Sequence, residues 1–447
     1  MRIGFELFER GISVSAAGAD YPVTYPEDVW KGFPSKRELA AELVALQTYA
    51  APIASGEREV VYELPRPRFL DRYHEWFRLN LPYLRDANPS ASDRLAPEAL
   101  ARIERTFRDG PPRNDVLSFA ETSDDRAVVA LTMGKDSLAS LVIGRQMGCD
   151  LAAVSCFHPS LSDAFKVRIP QMEALGAHLG LPVHSVSDRV LELASAVSSG
   201  VPSTGLIWSM SVAVYCLLLL PFAHHYRARY LVLGNGFEFN YQTRPHRGGE
   251  PVEMSPLQSW TGTSTLDAWI GELTGGAVRV TSWIHSLHAI ACHKLVHSVR
   301  PDVGLYQVSC RRSPAGDNPR WCQECSTCAE NYLFLVAMGR DPATVGFTRT
   351  MLDERSSKLF PLAADGLDES DPYRHHAAMQ ELLGFRLARR HGDDSWPTRS
   401  VLERIADLDT AAWQACERLY LEPAETAAPL PMAGRSTAAA RQLLSRA

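Results

Sequence analysis

Lysine is scarce in this 447-residue chain: only six of its 46 basic residues are lysine, at positions 31, 36, 135, 166, 294 and 358. An excess of one charge is also missing. The net charge is −6, so there is no global basic field of the kind that grips a nucleic-acid backbone. The longest uncharged apolar run, Leu206 to Ala223, is interrupted by Trp208, two serines, Tyr215 and Pro221. A membrane span needs about 20 mainly apolar residues, and this run reads as a buried core helix. The opening Met1-Arg-Ile-Gly-Phe-Glu has no long apolar core, because Glu6 and Glu9 break it; this predicts a cytoplasmic protein. Cysteine is too sparse for a disulfide scaffold. Of nine, five are scattered (149, 156, 216, 292, 416) and four cluster at 310, 322, 325 and 328.

With 45% hydrophobic and 22% charged residues, the composition is that of a globular protein. At about 150 residues per domain, the length predicts two or three domains. Residues 1–115 read as an N-terminal α+β region, with a strand at Arg2 to Phe8, a helix at Ser35 to Tyr49 and an alternating strand at Glu59 to Leu64. The Asp109-Gly-Pro-Pro-Arg-Asn segment marks its end. Residues 116–305 alternate strand and helix: strands at Arg126 to Thr132, Leu151 to Phe157, Val183 to Val186 and Arg229 to Leu233, helices at Leu138 to Met147 and Ala164 to Leu179. This predicts an α/β domain with a doubly wound parallel sheet. Residues 306–447 hold the cysteine cluster and C-terminal helices near Met379 to Arg389 and Val401 to Leu419, with a loosely ordered tail from Pro423.

The sharpest local feature is Thr132-Met133-Gly134-Lys135-Asp136-Ser137, between a buried strand and a helix. Backbone N–H groups at a helix start attract anions, and a glycine with two hydroxyls admits phosphate closely. Lys135 can neutralise phosphate charge, and Asp136 can hold Mg²⁺ or fix the loop. The spacing is neither that of a Walker loop nor that of a dinucleotide fingerprint. A later strand ends in Gly234-Asn235-Gly236. In a doubly wound sheet both segments lie at the carboxyl ends of strands, where ligands bind.

The loop resembles the S-G-G-x-D-S signature of PP-loop ATP pyrophosphatases, with Thr132 in place of Ser and Met133 in place of the first Gly. The resemblance implies a PP-loop (HUP-like) fold and ATP cleavage between the α and β phosphates. It also implies ATP binding by Thr132, Gly134, Lys135, Asp136, Ser137, Gly234 and Asn235.

Cys310, Cys322, Cys325 and Cys328 are spaced C-x₁₁-C-x₂-C-x₂-C. Four thiolates close a tetrahedral structural Zn²⁺ site, and overlapping C-x₂-C units also suit an iron–sulfur cluster. A PP-loop domain followed by this cluster resembles 7-cyano-7-deazaguanine synthase. Val308-Ser-Cys-Arg-Arg, then Arg320-Trp-Cys-Gln-Glu-Cys-Ser-Thr-Cys, then Tyr332-Leu-Phe-Leu-Val-Ala-Met is more similar to ATP-dependent UDP-N-acetylmuramoyl-L-alanyl-L-glutamate epimerases of peptidoglycan precursor synthesis. Arg311 departs from the Asn of that pattern, and Ala329-Glu-Asn from its Cys-Arg-Phe run. The likeness covers about residues 126 to 360, and the N-terminal region does not match.

That resemblance implies an enzyme that adenylates a substrate carboxylate and inverts the adjacent α-carbon, because adenylation makes the Cα proton acidic enough for a general base. The partner is then a small molecule or peptide with a free carboxylate, with no nucleic acid and no membrane. Arg311, Arg312 and Arg320 are candidates for its carboxylates. Asn240, Tyr241 and Arg244 follow the second loop and are candidates for contact with substrate, and Glu238 is a metal or base candidate. His285, His288, Cys292, His293 and His297 are predicted on one helix spanning Trp283 to Ser298, with 285, 288 and 292 on one face. His288 is the base candidate, beside Lys135 and Asp136 as catalytic residues. Two other classes remain open. One is a ligase or sulfurtransferase that replaces an activated oxygen by nitrogen or sulfur, with Cys156 as its cysteine; the other is a zinc-stabilised nucleotide-binding module.

Overall fold

The structure is a computed structural model; it describes residues 1–87, 90, 93–108, 116–158, 164–197, 210–241, 243–244, 252–253, 255–310, 320–360, 372–404, 410–425 and 428–446. Its strands are β1 Arg2–Phe8, β2 Gly11–Ala16, β3 Ala19–Thr24, β4 Glu59–Tyr62, β5 Glu104–Phe107, β6 Ser123–Ala130, β7 Asp150–Phe157, β8 Val183–Asp188 and β9 Ala228–Val232. A short hairpin, β10 Thr243–Arg244 and β11 Val252–Glu253, stands apart, and β12 Arg279–Thr281 completes the set. Ten strands form one sheet in the order β12-β9-β6-β7-β8-β3-β2-β1-β4-β5. Strands β12 through β8 run parallel, β3, β2 and β1 are joined antiparallel, and β4 and β5 pair parallel again at the far edge. The protein is thus α/β with a large, mostly parallel mixed sheet and a helical C-terminal part.

The N-terminal region extends the parallel half of the sheet, through the pairs Val23↔Asp188 and Thr24↔Ser187. The parallel half is wound on both faces. Along β6, Val128 packs on one side with helices Ser211–His225 and Trp260–Leu273. Its neighbours Ala127 and Val129 pack on the other with helices Lys135–Gln146 and Ala164–Leu179. This period-two division follows from strand geometry and explains why the parallel strands read as continuous apolar runs.

The chain leaves β6 toward β7 and β8, then returns to the other side of β6 as β9 and β12. The crevice between the carboxyl ends of β6 and β9 is therefore a topological switch point. A third core cluster joins the cysteine segment to helices Ser326–Ala337, Pro372–Arg390 and Thr410–Leu421. Among the described residues no helix is long and apolar enough to cross a membrane.

The expected apolar core helix is found at Ser211–His225, and the part of the run at 206–209 lies outside the described residues. Two expectations need correction. The span from Trp283 to Ser298 is not one helix: Ala289–His293 is α-helical and Lys294–Val299 forms a π-helical turn. Before it, Ser282 Oγ is tied by a long-range bond to Asn235 O, and the His285 ring bonds Ser282 O, a local bond that competes with helix formation. The tail is also ordered. Ala433–Leu444 is a helix whose Ala440, Leu443 and Leu444 are buried against the Lys135–Gln146 side of the sheet.

Candidate active site and metal centre

Helix Lys135–Gln146 starts at Gly134, directly after β6. Ser137 closes the loop: its Oγ donates to Gly134 O at 3.0 Å and accepts from Thr132 N at 3.3 Å. Met133 has φ +60° and is fully buried. A left-handed backbone is costly for a bulky residue and natural for glycine. The loop therefore keeps the conformation that a glycine would have made easy, and the Met133 side chain anchors it in the core.

The second loop lies against this turn. A Cβ on Gly234 would stand 3.3 Å from Asp136 Cβ and 3.7 Å from Ser137 N. A Cβ on Gly236 would stand 2.4 Å from Glu238 Oε2, so the absent side chain is what lets that carboxylate fold back into the site. Asn235 is committed elsewhere: it is buried, and its Nδ2 donates to Thr263 Oγ1 at 2.9 Å. It fastens the loop to helix Trp260–Leu273.

Charge converges on Lys135. Its Nζ lies 3.1 Å from Asp136 Oδ2, and these side chains are only 17% and 27% exposed. Burial alone would lower the ammonium; Asp136, Glu238 and Glu330 outweigh it and hold the group well above the usual lysine range. Glu238 is pushed up to about 7 by burial, against the pull of Lys135 and with the repulsion of Asp136 and Glu330. Asp136 Oδ1 and Glu238 Oε2 are buried without hydrogen-bond partners among the described residues. Two orphan carboxylate oxygens beside an ammonium at a helix start are not a finished structural network, because burial of unsatisfied charged acceptors costs free energy. They fit a cation, or a protonated or donor group of a ligand.

His288 is placed differently. It is fully buried and neither ring nitrogen has a partner among the described residues. Its ring packs 4.7 Å from those of Phe237 and Tyr420, and burial lowers its pKa to about 3. The imidazole is therefore neutral. His293 and His297 stack at 5.5 Å on the π-helical turn. Asn240 Oδ1 accepts from Trp260 N, and Tyr241 packs on His376. Arg244 lies in β10, with its side chain outside the described residues, as are Arg311 and Arg312 altogether. Arg320 donates to Leu305 O at 2.5 Å and Gln307 O at 2.9 Å, so its guanidinium braces backbone.

The four cysteines meet. Their sulfurs all lie within 4.8 Å of one another, and Cys322 and Cys328 Sγ stand 3.7 Å apart. Sulfurs about 2.3 Å from one ion at tetrahedral corners would be separated by about 3.8 Å. The cluster could hold a metal such as zinc. Gln323, between two ligands, takes φ +57°. Its Oε1 accepts from Thr348 N and Arg349 N, which pins the turn that aims Cys322 and Cys325 inward.

The metal segment touches the phosphate-type loop directly. Val308 N donates to Met133 O at 2.8 Å. Helix Ser326–Ala337, which carries Cys328, also brings Glu330 toward Lys135 and Asn331 onto Gln307. Glu330 and Gln307 were not singled out in the sequence. Their signal was polarity against context: Glu330-Asn331 interrupts a run that is otherwise apolar, one turn after a metal ligand. No protein-family model matches the chain, and no curated protein matches it either.

Proposed function

We propose that the protein adenylates a substrate carboxylate with ATP, releasing pyrophosphate and finally AMP, and epimerises the adjacent α-carbon. The observation that carries this reading is the trio at the switch point: Lys135 at a helix start, flanked by the orphan oxygens Asp136 Oδ1 and Glu238 Oε2. The helix N–H groups and Lys135 bind the triphosphate. Asp136 has the hard oxygens that would hold Mg²⁺, which would supply charge neutralisation on the departing pyrophosphate. The likeness of the loop to PP-loop pyrophosphatases directs cleavage to the α–β bond.

The carboxylate oxygen attacks the α-phosphorus, the bond to the β-phosphate oxygen breaks, and an acyl adenylate forms. Loss of the carboxylate charge acidifies Cα–H. Glu238, raised to about 7, is matched to neutral-pH proton transfer and replaces His288 as the favoured base. Glu238 passes the abstracted proton to solvent, a solvent-derived proton delivered on the opposite face inverts the centre, and water hydrolyses the acyl adenylate to the acid and AMP.

The competing sulfur-transfer reading needs a thiolate. Burial and the nearby Asp188 push the Cys156 thiol well above its ordinary value, which disfavours it. Incubation with ATP, Mg²⁺ and carboxylate-ended peptides, UDP-muramoyl dipeptide among them, in D₂O tests the proposal. Deuterium at Cα, inverted substrate and AMP are expected. ADP, or a product containing new nitrogen or sulfur, would overturn it.

A further inference from the structure

We infer that the four-cysteine centre does more than staple the C-terminal part: it sets the backbone of the phosphate-type loop, and Gln307 is the positioning residue that transmits its hold. The inference rests on the proposed function only in expecting ATP as the ligand; the mechanical link stands on geometry.

Gln307 is 1% exposed, and its amide is fully used. Its Oε1 accepts from His297 Nε2 at 2.5 Å. Its Nε2 donates to Ser309 Oγ at 2.8 Å and to Asn331 Oδ1. Its carbonyl accepts from Arg320. Each contact leads somewhere different. Asn331 sits one turn after Cys328, and its Nδ2 is held by Thr327 O at 2.6 Å, between two metal ligands in sequence. Ser309 precedes the ligand Cys310, whose carbonyl is held by Arg168 Nη2 at 2.9 Å. Val308, the next residue after Gln307, donates to the carbonyl of Met133.

That last bond falls on the residue with φ +60°. A strained backbone persists only where its surroundings over-determine it. Here the surroundings are Gln307 to Cys310, fixed at one end by a metal ligand and in the middle by an amide hub. Ser309 Oγ also stands 3.7 Å from where a Gly134 side chain would begin, so the same strand walls the loop. Releasing the metal frees Cys310 and the start of helix Ser326–Ala337 together. It therefore slackens both partners of Gln307 and, through Val308, the turn that presents the Lys135 and Asp136 amides.

The test uses the full chain with Zn²⁺ as the metal. Amide hydrogen exchange is followed at 132–137 in the metal-loaded protein, after chelation, and after Zn²⁺ is restored. Exchange in this loop should accelerate at least tenfold on chelation and return on reloading, while β2 and helix Lys36–Gln47 stay protected. Unchanged loop exchange in a chelated, still folded protein overturns the inference. Gln307→Glu keeps the shape and removes both donors. It should retain one Zn²⁺ per chain by native mass spectrometry, yet show the accelerated loop exchange and about tenfold weaker ATP binding by calorimetry, the effect of one lost buried hydrogen bond. If that variant loses its metal, Ser309→Ala, which removes a single contact outside the metal shell, should give the same loop signature at smaller size. Native loop exchange in metal-bound Gln307→Glu overturns the inference. Accelerated loop exchange without any ATP binding by the wild type would support the mechanical link and sink the proposed function instead.

Discussion

Two buried glutamates, one in each half of the sheet, show the difference between a finished and an unfinished polar site. Glu42, on helix Lys36–Gln47 of the N-terminal half, is pushed up to about 6 by burial. Both its oxygens are satisfied: Oε1 accepts from Arg68 N at 2.7 Å and Oε2 from Tyr73 Oη. Glu238, at the switch point, is pushed up to about 7. Its Oε2 has no partner among the described residues, although Lys135 is beside it. A buried acceptor with its bonds made is architecture. One left open next to an ammonium and a helix start is held ready for something outside the chain.

The comparison can be broken most severely from the metal side. Cys328→Ser should release the metal and with it the helix that brings Glu330 toward Lys135. A loss of about 4 kcal/mol or more is expected, the range reserved for losing a metal. Denaturant titration alongside metal analysis checks it; a stable protein that keeps its metal would contradict it.

Lys135→Ala removes the ammonium that both orphan carboxylates face. AMP formation should fall tenfold or more, the loss of one charge-assisted contact of roughly 1.5–3 kcal/mol. Initial rates of pyrophosphate release measure this directly.

The sharpest test makes one substitution at both glutamates. A raised carboxyl pKa favours the protonated fold, so that contribution to stability is complete below the unfolded value and is lost as pH rises through the folded one. In Glu238→Gln the penalty of ionisation disappears, and the oxygen without a partner among the described residues loses no bond. The ligand-free variant should be more stable than wild type by about 3 kcal/mol at pH 8, with the difference vanishing near pH 4. With substrates, the same variant should retain ATP cleavage and lose Cα–deuterium exchange.

Glu42→Gln should do the reverse. Its amide cannot accept from both Arg68 N and Tyr73 Oη, so the variant should lose about 1–3 kcal/mol at pH 4. The deficit should shrink by about 2 kcal/mol between pH 4 and pH 7, as wild type loses its own advantage through pH 6. Melting curves of both variants across that range decide the matter. Equal signs at the two sites would mean that the open oxygen of Glu238 has no special standing.

Much of this architecture was legible because burial writes itself into composition. β6, β7 and β9 are covered on both faces and show as apolar runs, and the loops after β6 and β9 carry their glycines openly. The cysteine spacing led directly to one cluster. What the sequence hid depends on long-range contact. Nothing local in Val23 and Thr24 shows that they will pair with β8. Met133 read as a departure from a glycine pattern, because only the tertiary bond from Val308 reveals what keeps it left-handed. The histidine-rich span read as one helix because its 3.6-residue spacing is real, while the bonds from Ser282 and His285 that halt the helix are invisible to periodicity.

The helix Ala433–Leu444 has a consequence for how the protein comes into being. It covers helix Lys135–Gln146, with Gln146 Nε2 bonded to Gln442 Oε1 across 296 residues of chain. On the ribosome, the N-terminal strands and β6 to β9 emerge long before that cover exists. The outer side of helix Lys135–Gln146 must wait, apolar and bare, until residues 433–444 are synthesised. A nascent chain stalled before residue 433 would thus expose the hydrophobic back of the candidate site. The helix Ala433–Leu444 is a seal that only a chain carried through residue 444 can close.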